Sequence, residues 1–429
     1  MVAPLKVGIA GLGTVGAEVV RLIEAQQSIL SARCGRGIKV VAVTARNKAK
    51  KRGVDLRGID WMKDPLSVAT HPEVECFVEL MGGAGDPALA SISAALAAGK
   101  SVVTANKALV AKHGLKLATL AEKHGGALNY EAAVAGAIPI IKTLREGLSG
   151  TTINRVYGIL NGTCNYILTR MEQEGLSFEE CLKDAQRLGY AEAEPSFDVD
   201  GYDTAQKLAI LASLAFGTQP AFGDVAITGV RHVIAADIAE AAALGYRVRL
   251  LGVADAGPHG LFQRVHPHLV PVSHPLAHVT GSTNAVVAEG NFVGRLLFQG
   301  AGAGDGPTAS AVVADLIDIA RGEFGPPYAM PADALAAQEA ADSGERRGRA
   351  YLRFTVADKV GVLAEIAAAM RDAGVSIESL IQRGASADGS VLVAIVTHEA
   401  PERAVAQALE RLRGSQSLTG QPLWMHILE

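Results

Sequence analysis

The feature that most constrains this chain is a strand–glycine–helix unit at its start. Leu5–Ala10 is a short apolar run, and Gly11, Gly13 and Gly16 follow it in GxGxxG spacing. The stretch through Ala17–Ala25 reads as a helix. In that context the first glycine allows a tight turn and the second lets a pyrophosphate approach the backbone. The third lets the helix pack closely on the strand. The helix start at Thr14 and Val15 then presents free backbone N–H groups to phosphates. Such a beginning predicts a dinucleotide-binding domain with a parallel sheet covered by helices on both faces.

The next strands refine that expectation. Ile38–Thr44 is the second strand, and folds of this kind that prefer NAD place an acid at its end for the ribose 2′-hydroxyl. Here the end reads Ala45, Arg46, Asn47, then Lys48, Lys50, Lys51 and Arg52. A guanidinium suits a 2′-phosphate, so the sequence favours NADP(H), read by Arg46, with NAD(H) still usable. Glu75–Leu80 and Ser101–Thr104 read as further strands, the second running into Ala105-Asn106-Lys107. Lys107 therefore stands just past a strand end, where doubly wound sheets bind their ligands. Ala127–Glu131 leads into AAVAGAIPII. Those small residues suggest tightly turned backbone whose carbonyls, beside Glu131, could hold a monovalent cation.

At 429 residues the chain exceeds one core and predicts two or three domains. A net charge of −4 and 5% aromatic residues exclude general attraction to nucleic acid or anionic membrane, and base-stacking on single strands. No apolar run is long enough to span a bilayer. The chain enters a strand at once, which predicts no signal peptide. Cys34, Cys76, Cys164 and Cys181 lie scattered without CxxC spacing. That fits a reducing cytoplasm and no zinc site.

The densest chemistry lies in residues 188–211, LGYAEAEPSFDVDGYDTAQKLAIL. Pro195 and Gly201 bracket an acidic loop. The run from Tyr202 to Leu214 reads as a mostly buried helix, with Asp203 and Lys207 four apart on one face. Acids feeding a half-buried lysine suit a small zwitterion, although most ion pairs are structural. Upstream, the strand Ile153–Ile159 runs into Leu160-Asn161-Gly162-Thr163-Cys164. A thiol nucleophile there would need a histidine base. None of the eleven histidines pairs recognisably with Cys164, which reads as a packed residue. A second Gly-rich turn, Gln299–Pro307, separates a strand at Arg295–Phe298 from a helix at Thr308–Arg321. Residues 331–349 are Ala-rich, then charged, and read as a linker. Beyond them the order βαββαβ predicts a ferredoxin-like module.

Taken in order, GLGTVG, VTANKALVAKHG, NGTCNYIL, GYAEAEPSFDVDGYDTAQKLAILA and GAGAGDGPTASAV resemble the homoserine dehydrogenase family along the whole chain. The tail resembles an ACT domain, with Asp358-Lys359-Val360-Gly361 where that module usually carries Asp-Lys-Pro-Gly. The resemblance implies an α/β protein of three parts. A Rossmann-type domain spans 1–135. A substrate-binding and dimerisation domain spans 136–330, with 300–325 returning to pack on the first. After the linker, an ACT domain spans 350–429. It implies reversible NAD(P)H-dependent reduction of L-aspartate 4-semialdehyde to L-homoserine, threonine as effector through the tail, and a cytoplasmic homodimer or homotetramer.

By resemblance, Lys207 is the proton donor and Lys107 lies between cofactor and substrate. Glu192 and Asp203 hold the substrate ammonium, and Asp198 is a further acid of the block. Gly189 and Gly304 contact the nicotinamide side. Glu131 with the backbone of Val134, Gly136 and Ile138 forms a sodium site. Two rival readings remain at this point: an aspartate-semialdehyde dehydrogenase using Cys164 as nucleophile, and a non-catalytic amino-acid sensor.

Overall fold

A computed structural model describes residues 2–257, 260–383 and 390–429. The nucleotide-type region alternates strands and helices: β1 (Leu5–Ala10), α1 (Thr14–Ala25), α2 (Gln27–Cys34), β2 (Ile38–Thr44), β3 (Asp60–Trp61), α3 (Pro65–Ala69), β4 (Cys76–Glu79), α4 (Ala88–Ala97), β5 (Ser101–Thr104), α5 (Lys107–His124) and β6 (Leu128–Asn129). The strands are parallel and ordered β3-β2-β1-β4-β5-β6. This is the doubly wound order, with its switch point between β1 and β4, so ligands are drawn to the carboxyl ends there. Val7, Ile9, Val78 and Val103 are fully buried, as parallel strands covered on both faces require.

The glycine turn is built as its spacing predicts. A Cβ on Gly16 would stand 2.0 Å from the Gly11 carbonyl oxygen, whereas one on Gly13 would meet nothing. Gly16 thus permits the close packing, and Gly13 leaves the N-terminus of α1 open. No side chain caps that terminus.

The chain then crosses into a second layer. It comprises α6 (Ile140–Lys142), β7 (Ile153–Ile159), α7 (Gly162–Glu174), α8 (Phe178–Arg187), α9 (Ser196–Val199), α10 (Tyr202–Phe216), β8 (Ala226–Ile227), α11 (Ala235–Ala243), β9 (Tyr246–Gly257), β10 (Gly260–Pro271), β11 (Thr283–Gly290) and β12 (Gly294–Ala301). Helix α12 (Asp305–Arg321) returns to the first domain, burying Ala309, Val312 and Leu316 in the cluster that holds Val19 and Ile23 of α1.

Residues 331–349 follow a fixed path. Gln219 N–H donates to the Ala336 carbonyl, Ala341 N–H to that of Leu261, and Leu335 is buried. A short strand, β13 (Arg347–Gly348), pairs with β17 (Ala400–Pro401). The tail adds β14 (Ala350–Ala357), α13 (Val362–Asp372), β15 (Ile377–Arg383), β16 (Ser390–Thr397), α14 (Glu402–Arg411) and β18 (Leu423–Ile427), in the expected βαββαβ order apart from the short β17.

Its sheet joins the catalytic one. Among the described residues the strands run β12-β11-β7-β9-β10-β18-β14-β16-β15, with β8 beside β10. The seam is two residue pairs long, His268 with His426 and Leu269 with Ile427. Around it, Arg264 holds Glu402 at 2.7 and 2.5 Å. Arg353 Nε and the Tyr351 hydroxyl both donate to the buried Asp237 at 2.9 and 3.1 Å. Among the described residues no helix is long and apolar enough to cross a membrane.

Candidate active site

The cleft lies where the carboxyl edge of the first sheet meets α7, the loop 188–195 and α10. It encloses about 670 Å³. Val15, Ala105 and Lys107 line one side, and Asn161, Glu192, Asp198, Asp203 and Lys207 the other. Gly302 and Gly304 approach from the second Gly-rich turn.

Helix α10 carries the pair read from the sequence. Gly201 precedes it at φ 92°, and Leu208, Ile210, Leu211 and Ala212 bury its far side. One turn of helix separates Asp203 from Lys207, so Lys207 Nζ reaches Asp203 Oδ2 at 2.7 Å. The same ammonium donates to the Leu160 carbonyl at 2.7 Å. Lys107, at the first position of α5, meets the other oxygen, Asp203 Oδ1, at 3.1 Å. Two lysines far apart in sequence therefore converge on one carboxylate. Burial raises the Asp203 pKa, but the charges of Lys207 and Lys107 and hydrogen bonds from Lys207 and Asn161 outweigh it. Its carboxyl is held well below the usual range.

Asp198 behaves oppositely. Burial and then the neighbouring Asp203 charge raise its pKa, against a hydrogen bond from Asn161. Its Oδ1 accepts from Asn161 at 2.8 Å, while its Oδ2 has the Thr163 hydroxyl at 3.4 Å. That hydroxyl is closer to the Tyr190 carbonyl, at 2.6 Å. Glu192 is exposed at the rim, and Gly189 sits beside it at φ 79°. The other two acids of the block face elsewhere. Glu194 accepts from Ser196 N–H, and Asp200 pairs with Arg231 at 2.5 Å. The segment expected as loop between Pro195 and Gly201 winds into the single turn α9.

Several site residues were not apparent from the sequence. Asn161, Thr163 and Tyr190 touch the cleft, and Phe197 lies 5.9 Å from Lys107 Nζ, ring centroid to nitrogen. Asn161 carries a detectable signal, since Asn immediately before a helix is a favoured cap. Its two carboxylate partners, 37 and 42 residues away, carry none.

Cys164 does not line the cleft. It is fully buried, its Sγ lies 3.3 Å from the Asp198 carbonyl oxygen, and burial pushes its thiol pKa well up. A thiolate nucleophile is disfavoured in that setting. The sequence's NADP(H) reader, Arg46, is exposed just past β2. Its neighbour Arg52 braces the glycine turn, donating to the Leu12 carbonyl at 2.8 Å.

Glu131 is buried beneath the cleft, where its oxygens accept from Ile141 N–H at 2.9 Å and Lys142 N–H at 2.7 Å. Burial raises its pKa. Ala135 and Gly136 follow at φ 56° and 54° and line the cleft, and Val134 and Ile138 are buried. A non-glycine residue in left-handed backbone is strained and marks a constrained site. Among the described residues no group of three or more His, Cys, Asp or Glu could hold a metal ion.

Comparison with known proteins follows this division of the chain. The family model for the homoserine dehydrogenase NAD-binding domain matches residues 11–131, that for homoserine dehydrogenase 139–317, and that for the ACT domain 350–414. The homoserine dehydrogenase of Pseudomonas aeruginosa is 42% identical over 97% of both chains. The chain belongs to the homoserine dehydrogenase family. Family membership makes it an oxidoreductase acting on a CH–OH group and binding a nicotinamide cofactor. The crystal structure of a homoserine dehydrogenase from Thiobacillus denitrificans superposes with a TM-score of 0.93 at 39% identity, covering 99% of this chain and 98% of that one. A hyperthermophilic archaeal homoserine dehydrogenase, solved in complex with NADPH, superposes with a TM-score of 0.65 at 27% identity. It covers 76% of this chain and 99% of its own.

Proposed function

We propose that the chain catalyses reversible reduction of L-aspartate 4-semialdehyde to L-homoserine, with NADPH preferred over NADH. The observation that carries this reading is the pair Lys107 and Lys207 converging on Asp203 at the carboxyl edge of a nucleotide-type sheet. The glycine cradle fits a dinucleotide, since Gly13 leaves the α1 N-terminus open to a pyrophosphate. When bound, that cofactor supplies the hydride.

The chain's own groups do the rest. Lys207 holds a proton in a charge-assisted hydrogen bond and delivers it to the oxygen on which negative charge develops. Lys107 stands between the cofactor and substrate sides and adds positive charge near that oxygen. Glu192 and Asp203 face the substrate ammonium, with Asp198 completing an acidic wall. Asp203 exchanges its Lys107 contact for the incoming cation. Fixing a small zwitterion this way is a positioning effect of several kcal/mol. Gly189 and Gly304, both in left-handed backbone, admit close approach on the nicotinamide side.

Arg46 is the reader of a 2′-phosphate, and the NADPH complex of the archaeal relative supports that preference. The oxygen-only donors around Glu131, Val134, Gly136 and Ile138 suit sodium. The tail serves threonine sensing, and the exposed edge strand β12 suits pairing into a homodimer or homotetramer.

The test is a spectrophotometric assay of the purified chain with aspartate semialdehyde and NADPH or NADH, with and without threonine. Oxidation of neither cofactor overturns the reading. Arg46→Asp should lower the NADPH-over-NADH ratio about tenfold, the scale of one charge-assisted contact; an unchanged ratio removes Arg46 from that role.

A further inference from the structure

Asn161 does more than its place as a helix cap requires. It lies between β7 and α7, is 5% exposed and lines the cleft. Its side-chain oxygen accepts from Cys164 N–H at 2.8 Å, capping α7. Its amide nitrogen donates both hydrogens, one to Asp198 Oδ1 at 2.8 Å and one to Asp203 Oδ2 at 2.9 Å. Flipping the amide would set its oxygen against two carboxylates, so the cap and the two acids together fix its orientation.

The consequence falls on Asp198. Without substrate, Asp203 accepts from Lys207 and Asn161 on Oδ2 and meets Lys107 on Oδ1, so only the Lys107 contact can be exchanged for a substrate cation. Asp198 has one oxygen held by Asn161, and its Oδ2 has only the long Thr163 contact, Thr163 being committed to Tyr190. Like charges disfavour each other's ionisation, and a neutral donor shared between them offsets part of that penalty. Among the described residues, Asp203 and Lys207 of α10, Lys107 of α5, and Cys164 of α7, whose thiol meets the Asp198 carbonyl, bear on Asp198, and Glu192 and Tyr190 line the same cleft. Of these, the two lysines already serve Asp203.

We infer that Asn161 is a positioning residue for the proposed reaction: its amide clamps Asp198 and Asp203 so that Asp198 keeps one carboxylate oxygen turned to the substrate's ammonium group. This rests on the functional reading above. Asn161 acts through the two acids and does not itself touch reacting atoms. Replacement by a shorter cap keeps α7 started and removes only the clamp, because Ser caps helices about as well as Asn.

The experiment uses the full chain with Asn161→Ser and, as a folding control, Asn161→Ala. Two readouts are needed. The first is homoserine oxidation across pH. For Asn161→Ser, KM for homoserine should rise about tenfold with kcat much less affected, the scale of one hydrogen bond to a charged group. The acid limb of kcat/KM should move to higher pH, because a lost donor favours the neutral carboxyl. The second is carboxyl-¹³C titration of the unliganded protein, with Asp198→Asn and Asp203→Asn assigning the signals. The Asp198 midpoint should be higher in Asn161→Ser than in the parent chain. A fall in thermal stability with KM, pH limb and carboxyl midpoint unmoved would make Asn161 a helix cap only and overturn the inference. If the parent chain fails to oxidise homoserine, the functional reading falls, and a raised Asp198 midpoint still separates the clamp from it.

Discussion

Two buried ionic clusters of this protein use the same chemistry to opposite ends. At the seam with the tail, Arg264 faces Glu402, Arg353 faces Asp237, and Arg155 and Arg346 share Asp255. Burial lowers the pKa of His266 to about 4 and holds those of His268 and His426 well below the usual imidazole range, which favours the neutral ring. A cavity of only about 80 Å³ remains there. In the cleft, Asp203 is equally well supplied, but its partners include a half-exposed lysine, and about 670 Å³ lies open beside it. Matched charges without space make a joint. Matched charges beside space, with one partner able to leave, make a site. Burial and ion pairing alone do not distinguish the two.

The sharpest way to break this comparison is Lys207→Ala. Turnover of aspartate semialdehyde should fall about a thousandfold, the middle of the range for a general acid, with the fold retained. Full turnover would leave the cleft cluster as structural as the seam. Conversely, Arg353→Leu strands the buried Asp237 and should cost about 3 kcal/mol in denaturant unfolding, with kcat and KM for homoserine unchanged. A catalytic defect without a stability loss would assign the seam a role it lacks here.

Asp315 offers an intermediate case. It is fully buried on α12, accepts from Glu131 N–H, and lies 3.8 Å from Lys142 Nζ. Burial, opposed by Lys142 and reinforced by Glu131, raises its pKa from 3.8 to about 7. A raised carboxyl pKa favours the fold fully below pH 3.8, and that contribution is lost as pH rises through 7. Asp315→Asn should therefore gain about 2 kcal/mol over the parent chain on going from pH 4 to pH 8, measured by urea unfolding. Parallel stability curves would show the carboxylate to be paired as fully as those at the seam. The smallest effect belongs to Cys164→Ser, whose turnover should stay within about twofold because the thiol lies behind the cleft wall. Near-complete loss would restore the thiol-nucleophile reading.

Most of the scaffold was legible because its signals are local. The runs Leu5–Ala10, Ile38–Thr44, Ser101–Thr104 and Ile153–Ile159 are strands over those same residues. Asp203 and Lys207 were legible together because a helix places residues four apart on one face. Lys107 could be placed at a strand end, yet its meeting with Asp203 depends on how two domains pack. Residues 342–349 read only as a charged linker for the same reason: the pairing of Arg346, Arg347 and Arg349 with Asp255, Glu399 and Glu378 arises from the fold. Asn161 was invisible as more than a cap because its partners come from α9 and α10.

The two-pair seam between β10 and β18 has a practical consequence for dissecting this protein. Cutting the chain before residue 350 removes the strand that covers one side of β10, baring its backbone N–H and carbonyl groups at His268 and Leu269. An uncovered strand margin recruits other chains. Truncation would thus produce a sticky enzyme, not a desensitised one. Point substitutions that spare β18 are the cleaner route to asking whether the tail reports to the cleft.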